Sequence, residues 1–352
     1  MKKYATIAVK AGMQLGEDVY SSNNELLIPA RTILNDALIK KLNNYSIMCV
    51  AILEKEDFIT THFEKVRLSD GFKQFETIYN QCLSGYKSIM MDLILNGTPF
   101  TTDQLMDLYT PITACVQNGD TLLDYLYNML PSEDDMTHAH CYNSALIAGV
   151  FSRWLNLSDE DTELLILCGF LYDIGKLKLP NELIWKPDKL SDAEFNKIKA
   201  HTILGYKLLA PLHLNEHISK ATLMHHERYD GSGYPSALRG EAIDRFAKYI
   251  AVIDSYEAMT SARIYRSTMH QFKMIENFEK TGFLTYDETI IRPILSHIAS
   301  TQLGRKVRLS NDKIGEIILI NQKQLSRPML RTEDGYLIDL STEKELHIDA
   351  II

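Results

Sequence analysis

The sequence predicts a mainly α protein with a small α+β module at its start and a small β module at its end. Three observations predict it. From residue 132 to about 300 one helix signal follows another, several of them opened by a capping residue. Residues 4–53 instead alternate short apolar runs with turn residues. After Gly304 the apolar period shortens from that of a helix to that of a strand. At 352 residues the chain is long enough for several such units with a sizeable core.

In the first unit, residues 1–56, Val19–Tyr20 and Leu26–Ile28 flank a turn at Ser21–Asn24 and stop at Pro29, which predicts a hairpin. Asp36 to Leu42 reads as a helix and Ile47–Leu53 as a further strand. Residues 57–130 read as mostly helical, with Leu105, Leu108, Tyr109 and Ile112 at helical spacing. No catalytic motif falls there, so the stretch is expected to be a connecting, packing and dimerisation region. In the third unit, residues 131–300, Ser132 ahead of Glu133, Asp134 and Asp135 predicts a helix cap with an acidic first turn, which suits the helix dipole. Ser158 opens a second helix, apolar from Leu164 to Leu171; Ser191 and Glu194 form a capping box; Phe246 to Met259 is a third helix. In the last unit, residues 301–352, Val307 and Leu309, a turn at Asn311–Asp312 and Ile317–Ile320 predict a hairpin. Tyr336–Leu340 adds a strand.

A net charge of −9 argues against a binder of nucleic-acid polymers or anionic membranes, while leaving room for a local arginine pair on a small anion. No run of 18 apolar residues and no charged-then-apolar amino terminus occurs, so neither a membrane span nor a signal peptide is expected. Five scattered cysteines without a CxxC pair fit reduced thiols in a cytoplasm.

The chemistry concentrates in HHERYDGSGYP at 225–235 and its remote partners: His140, YDIGK at 172–176, His201 and Asp254. Imidazoles and carboxylates are the side chains that hold divalent transition metals. Taken singly, a histidine on an apolar face is more often a hydrogen-bonded core residue; six such positions together point to a metal centre. His201 shares a helix face with Ile198, Gly205 and Leu208, and Asp254 sits in an apolar stripe where a lone carboxylate is costly. His225 and His226 are adjacent, so both reach one site only if their helix ends there, and Asp230–Gly233 is a strong breaker. Asp173 is placed to offer one oxygen to each of two metals, an arrangement suited to phosphodiester cleavage. Lys176, three residues on, would face the same pocket as a phosphate binder or proton donor. Arg263 and Arg266 offer fork-shaped donors for phosphate, and Gly233-Tyr234-Pro235 a rigid aromatic turn. His138, His213, His217, His270, His297 and His347 lack such a context and read as structural or surface residues.

Residues 132–270 resemble the HD-GYP family of bacterial metal-dependent phosphodiesterases that hydrolyse cyclic di-GMP. The resemblance rests on THAH at 137–140, YDIGK at 172–176, the run from Lys186 to Glu194, His201, HHERYDGSGYP, and AVIDSYEAMTSARIYR at 251–266. It implies a helical HD-type core, and metal ligands at His140, Asp173, His201, His225, His226 and Asp254. It also implies the family lysine at Lys176, the signature loop at Gly233, Tyr234 and Pro235, and phosphate contacts at Arg263 and Arg266. The family's HD histidine falls on Tyr172. One metal would then keep His140, Asp173 and Asp254, the other Asp173, His201 and the His225/His226 pair. Where members with a third metal carry a glutamate, this chain has Met136, so at most two metals are expected, with Fe, Mn or Zn all suited to the ligands. Two functions follow from different classes. One is a cyclic di-GMP phosphodiesterase weakened at one metal by Tyr172. The other is a non-catalytic cyclic di-GMP receptor, or a scaffold meeting a protein partner through the GYP face. A hydrolase acting on another nucleotide is a third reading.

Overall fold

The computed structural model describes residues 2–6, 9–21, 26–45, 47–53, 62–129, 132, 135–184, 186, 190–261 and 270–352. Packing divides the chain into residues 1–64 with Ile352, and residues 65–351. The first unit holds β1 (Lys2–Ala5), β2 (Gln14–Leu15), β3 (Val19–Tyr20), β4 (Leu26–Ile28), α1 (Asp36–Asn44) and β5 (Cys49–Leu53). The antiparallel sheet runs β1-β5-β2, and β3 pairs with β4 as the expected hairpin, Val19 facing Ile28. Asn35 caps α1 by accepting from the Leu38 amide. Leu15, Ile28, Leu34, Leu42, Val50 and Ile52 form the core of this unit. β1 and β2 were not expected: KKYA and a two-residue strand carry no alternating pattern to read.

The second unit is helical. After α2 (His62–Leu68), across which the division falls, come α3 (Asp70–Asn96), α4 (Thr102–Ala114), α5 (Gly119–Tyr127), α6 (Met136–Trp154) and α7 (Asp159–Leu171). They are followed by α8 (Asn181–Ile184), α9 (Asp192–Lys199), α10 (His201–Leu209), α11 (Glu216–Met224), α12 (Arg245–Thr260), α13 (Gln271–Thr285) and α14 (Glu288–Ser300). A five-stranded antiparallel sheet, ordered β10-β6-β7-β8-β9, closes the chain: β6 (Lys306–Leu309), β7 (Ile314–Leu319), β8 (Met329–Thr332), β9 (Leu337–Asp339) and β10 (Ile348–Ile351). α6 is buried along almost its whole length, and α7 from Leu164 to Leu171, so these two form the centre that the other helices surround. One continuous core runs from Phe72 and Tyr86 on α3 through Tyr142 and Phe170 to Leu309 and Leu330 in the sheet. The stretches expected as a separate connector and a separate C-terminal module therefore share their core with the central helices. Among the described residues no helix is long and apolar enough to cross a membrane.

Three local expectations need correction. α6 begins at Met136, not at Ser132: Asp135 is its N-cap without a side-chain cap bond, and the Ser132 hydroxyl donates to the Asp135 carboxylate (2.6 Å) instead of to the helix. Glu133 and Asp134 lie outside the described residues. The helix read through His201 is two helices broken at Ala200, which ends α9 and starts α10. The tail has five strands; β8 and β10 are four residues each, too short for a period to be read from the sequence.

Candidate metal centre

The central helices deliver most of the candidate ligands from at or near their ends. His140 lies in the first turns of α6. α7 stops at Leu171, Tyr172 is its C-cap, and Asp173 follows immediately ahead of a 3-10 turn over Ile174–Lys178. That turn lies hard against α10: a Cβ on Gly175 would stand 1.9 Å from the His201 carbonyl oxygen and 2.6 Å from the Gly205 amide. Only glycine permits the approach, which brings Asp173 beside His201. α11 stops at Met224, so His225 and His226 leave the helix in different directions and reach one pocket. Asp254 comes from the buried face of α12.

These six side chains form two clusters, His201 with His225 and His226, and His140 with Asp173 and Asp254. The two aspartates join them. Asp173 turns Oδ1 to His201 Nε2 (3.2 Å) and His225 Nε2 (3.9 Å), and Oδ2 to His140 Nε2 (3.4 Å). Asp254 turns Oδ1 to His140 Nε2 (3.0 Å) and Oδ2 to His226 Nδ1 (4.0 Å). Lys176 Nζ stands 2.5 Å from Asp173 Oδ2.

Hydrogen bonding fixes what the histidines offer. His201 Nδ1 donates to the Ile198 carbonyl (2.6 Å), and His225 Nδ1 to the carbonyls of Thr222 (3.0 Å) and Ala221 (3.2 Å). Carbonyls only accept, so each Nδ1 carries the hydrogen. Burial, with the neighbouring His201, holds His225 down to about 3, and burial holds His201 below its ordinary value against the pull of Asp173. Burial and then His225 hold His226 well below its own. Both Nε2 atoms are thus bare lone pairs, and they face each other at 3.2 Å with Asp173 Oδ1 beside them. Neither oxygen of the fully buried Asp173 is in a well-formed hydrogen bond, although Lys176 is in ion-pair contact with Oδ2. Burial pushes the Asp173 carboxyl up, but Lys176, His201 and His140 more than offset it and keep it ionised. Lone pairs and a carboxylate packed together without a shared proton repel, and a divalent cation resolves the repulsion. The residues fit a metal.

The other cluster is satisfied differently. Tyr172, fully buried, sets its hydroxyl 2.6 Å from His140 Nε2, 3.2 Å from Asp254 Oδ1 and 3.1 Å from Ser144 Oγ. Burial, then the charges of Asp254 and Asp173, push the phenol well above its ordinary value, so it stays protonated and does not offer a phenolate. Burial pulls His140 down, but the Glu257 charge and the bonds to Asp254 and Glu257 more than offset it and raise it to about 9. Glu257 was not singled out in the sequence. Its signal was there: it lies three residues after Asp254, hence on the same face of α12.

The signature loop packs onto the histidines. Tyr234 stacks on His226 (4.7 Å between centroids, 27° between planes). Gly233 is required, since a Cβ there would lie 2.4 Å from the His226 carbonyl oxygen and from the Arg228 amide. Buried Glu227, also unanticipated, accepts from the Ser236 (2.7 Å) and Leu238 (2.9 Å) amides and ties down the chain after Pro235. Lys199 lies over the Tyr234 ring at 5.4 Å. Arg263 and Arg266 lie outside the described residues.

A helical domain that gathers histidines and aspartates into a site able to hold a divalent cation is the arrangement of the HD domain, and that family matches residues 124–290. Residues 124–290 thus match an HD domain, and the motifs there are similar to those of HD-GYP proteins. It is 38% identical over 147 residues to the cyclic di-GMP phosphodiesterase response regulator RpfG of Xanthomonas campestris, covering 41% of this chain and 39% of that protein. It is 28% identical over 269 residues to the cyclic di-GMP phosphodiesterase PA4108 of Pseudomonas aeruginosa, covering 76% of this chain and 64% of that protein. It thus spans from about two fifths to just under two thirds of the length of these relatives. The fold is also that of Bd1817, an HDG"Y"P protein from Bdellovibrio bacteriovorus, at a TM-score of 0.52 and 15% identity, over 84% of this chain and 99% of that one.

Proposed function

We propose that this chain hydrolyses the phosphodiester bond of cyclic di-GMP, to the linear dinucleotide or GMP, at a centre of two divalent transition metals of unequal affinity. The observation that carries the reading is the pair of bare Nε2 lone pairs of His201 and His225 facing each other across 3.2 Å beside Asp173. The names of the relatives support the substrate, most of them cyclic di-GMP phosphodiesterases and some 3'3'-cGAMP-specific phosphodiesterases. His201, His225 and His226 with Asp173 would hold the tighter metal; His140, Asp173 and Asp254 would hold the other, with Tyr172 in the place of the family's histidine. Iron or manganese suits this mixed set, and zinc is the third candidate. Bound there, divalent metals activate water and neutralise charge on the phosphodiester. Asp173 orients both halves. Lys176 keeps its proton: burial pulls it down, but Asp173 and Asp254 more than offset that and hold it above its ordinary value. Its Nζ is therefore positioned to neutralise a phosphate oxygen or protonate the departing one. Tyr234 would shape the wall against which the ligand lies, and Arg263 and Arg266 would contact its phosphates.

A second reading, a receptor for the dinucleotide without turnover, is favoured by one observation: Tyr172 closes the His140 half with internal hydrogen bonds. The deciding experiment incubates the anaerobically purified chain, loaded with Fe(II) or Mn(II), with cyclic di-GMP and 3'3'-cGAMP in parallel. Linear dinucleotide or GMP supports the enzyme. Binding by calorimetry without any product defeats it in favour of the receptor.

A further inference from the structure

We propose that Glu257 is the positioning residue that sets His140 for metal binding, and that it is itself held by a hydrogen-bonded chain reaching helix α3. This rests on the reading of His140 as a metal ligand. Glu257 is 3% exposed, and its two oxygens are divided between two tasks. Oε2 takes His140 Nδ1 at 2.5 Å. Oε1 accepts from Asn143 Nδ2 (2.9 Å) and from the Ser261 hydroxyl. Asn143 is in turn held by Tyr79 of α3, whose hydroxyl donates to Asn143 Oδ1 at 2.6 Å. Tyr79 and Asn143 are both buried. The chain Tyr79, Asn143, Glu257, His140 thus crosses α3, α12 and α6 and ends on a ligand.

The chemistry dictates a direction. An ionised carboxylate only accepts, so His140 Nδ1 carries a hydrogen and Nε2 is the nitrogen left for the metal. With Nδ1 anchored, the imidazole turns Nε2 to Asp254 and Asp173. A carboxylate behind a ligating histidine is the usual means of fixing ring orientation and raising ligand strength, and losing it costs about 10- to 100-fold in metal affinity. Asn143 and Ser261 serve to leave Glu257 no alternative orientation. Among the described residues no hydrogen bond joins Tyr79, Asn143 or Glu257 to the three-histidine half: His201 and His225 are anchored by backbone carbonyls instead. Glu257 therefore acts on one metal and not on the other.

The test titrates Co(II) into the metal-stripped full chain and follows the visible ligand-field bands. The parent takes up cobalt in two steps. Glu257→Gln keeps the shape but can present its NH₂ group to His140 Nδ1, which misdirects the ring. The expected result is loss of about 10- to 100-fold in the weaker step with the tighter step unchanged. Glu257→Asp restores part of the loss, and Tyr79→Phe, which frees Asn143, reproduces a smaller part of it. If Glu257→Gln is folded by circular dichroism and gives the parent's two steps and bands, the proposal is wrong. It is equally wrong if both steps weaken together, since Glu257 would then act on the fold as a whole. Should Glu257→Gln not fold, the same readings on Glu257→Asp and Tyr79→Phe decide: an unchanged weaker step in both overturns the proposal. A parent that takes up no cobalt at all defeats the metal reading itself, and this proposal with it.

Discussion

On one side of Asp173, His201 and His225 turn bare Nε2 atoms towards each other at 3.2 Å; on the other, His140 turns Nε2 to the Tyr172 hydroxyl at 2.6 Å. Both halves are built from histidine and aspartate side chains carried by the central helices and the turns that follow them. The first leaves lone pairs that only a cation satisfies. The second gives His140, Asp254 and Tyr172 one another as partners, so a metal must displace bonds that already exist. A single hydroxyl beside His140 thus separates a half whose lone pairs face each other without a shared proton from one that closes on internal hydrogen bonds.

Four changes break or sharpen the contrast. Asp173→Asn has the largest expected effect, because this carboxylate serves both halves: turnover falls to background and metal content by mass spectrometry falls in both sites. Lys176→Met leaves the histidines in place and removes the cation aimed at the phosphate; turnover is expected to drop by roughly 10²–10³, with metal content kept. Tyr172→His works in the opposite direction. It exchanges the protonated phenol for a neutral nitrogen ligand, and tightens the weaker metal by about 10- to 100-fold in a titration, with turnover rising accordingly. A Tyr172→His protein with unchanged metal affinity would show that the hydroxyl is not what separates the halves.

The smallest effect is on acid stability of the metal-free chain. His225 is depressed to about 3 when folded, against about 6.5 unfolded, so the unfolded chain takes up the proton first and stability falls as pH drops below 6.5. Asp173 and Asp254 are also depressed, and their contribution is lost in turn as pH falls through 3.8 and below. His140, raised to about 9, works oppositely: its contribution is complete below 6.5 and lost as pH rises towards 9. Melting temperatures between pH 7 and 5 therefore decline, and His225→Asn flattens the decline by about 1 kcal/mol per pH unit at most.

Much of this was legible in the sequence, for reasons that differ by residue. The helical core announced itself through caps such as Ser158 and Ser191, both of which cap their helices through side-chain bonds to the backbone. The six candidate ligands stood out because histidine and aspartate at apolar positions are costly unless used, and the structure brings them within one site. Glu257 and Asn143 did not stand out, because what marks them is a partner remote in sequence: His140 lies 117 residues from Glu257, and Tyr79 lies 64 from Asn143. The break at Ala200 was hidden for another reason. α9 and α10 both carry helical periodicity, and Ala200 between them has no residue type that marks a helix end. The strands β8 and β10 are too short to establish a period.

The central claim is that the two halves differ in their need for a cation, and one calorimetric titration tests it most directly. Mn(II) is added anaerobically to the metal-stripped chain. The account predicts one tight equivalent and a second about 10-fold or more weaker, with His225→Ala abolishing the first and His140→Ala only the second. Two equivalents of equal affinity, or a single one lost on His140→Ala and kept on His225→Ala, would contradict it.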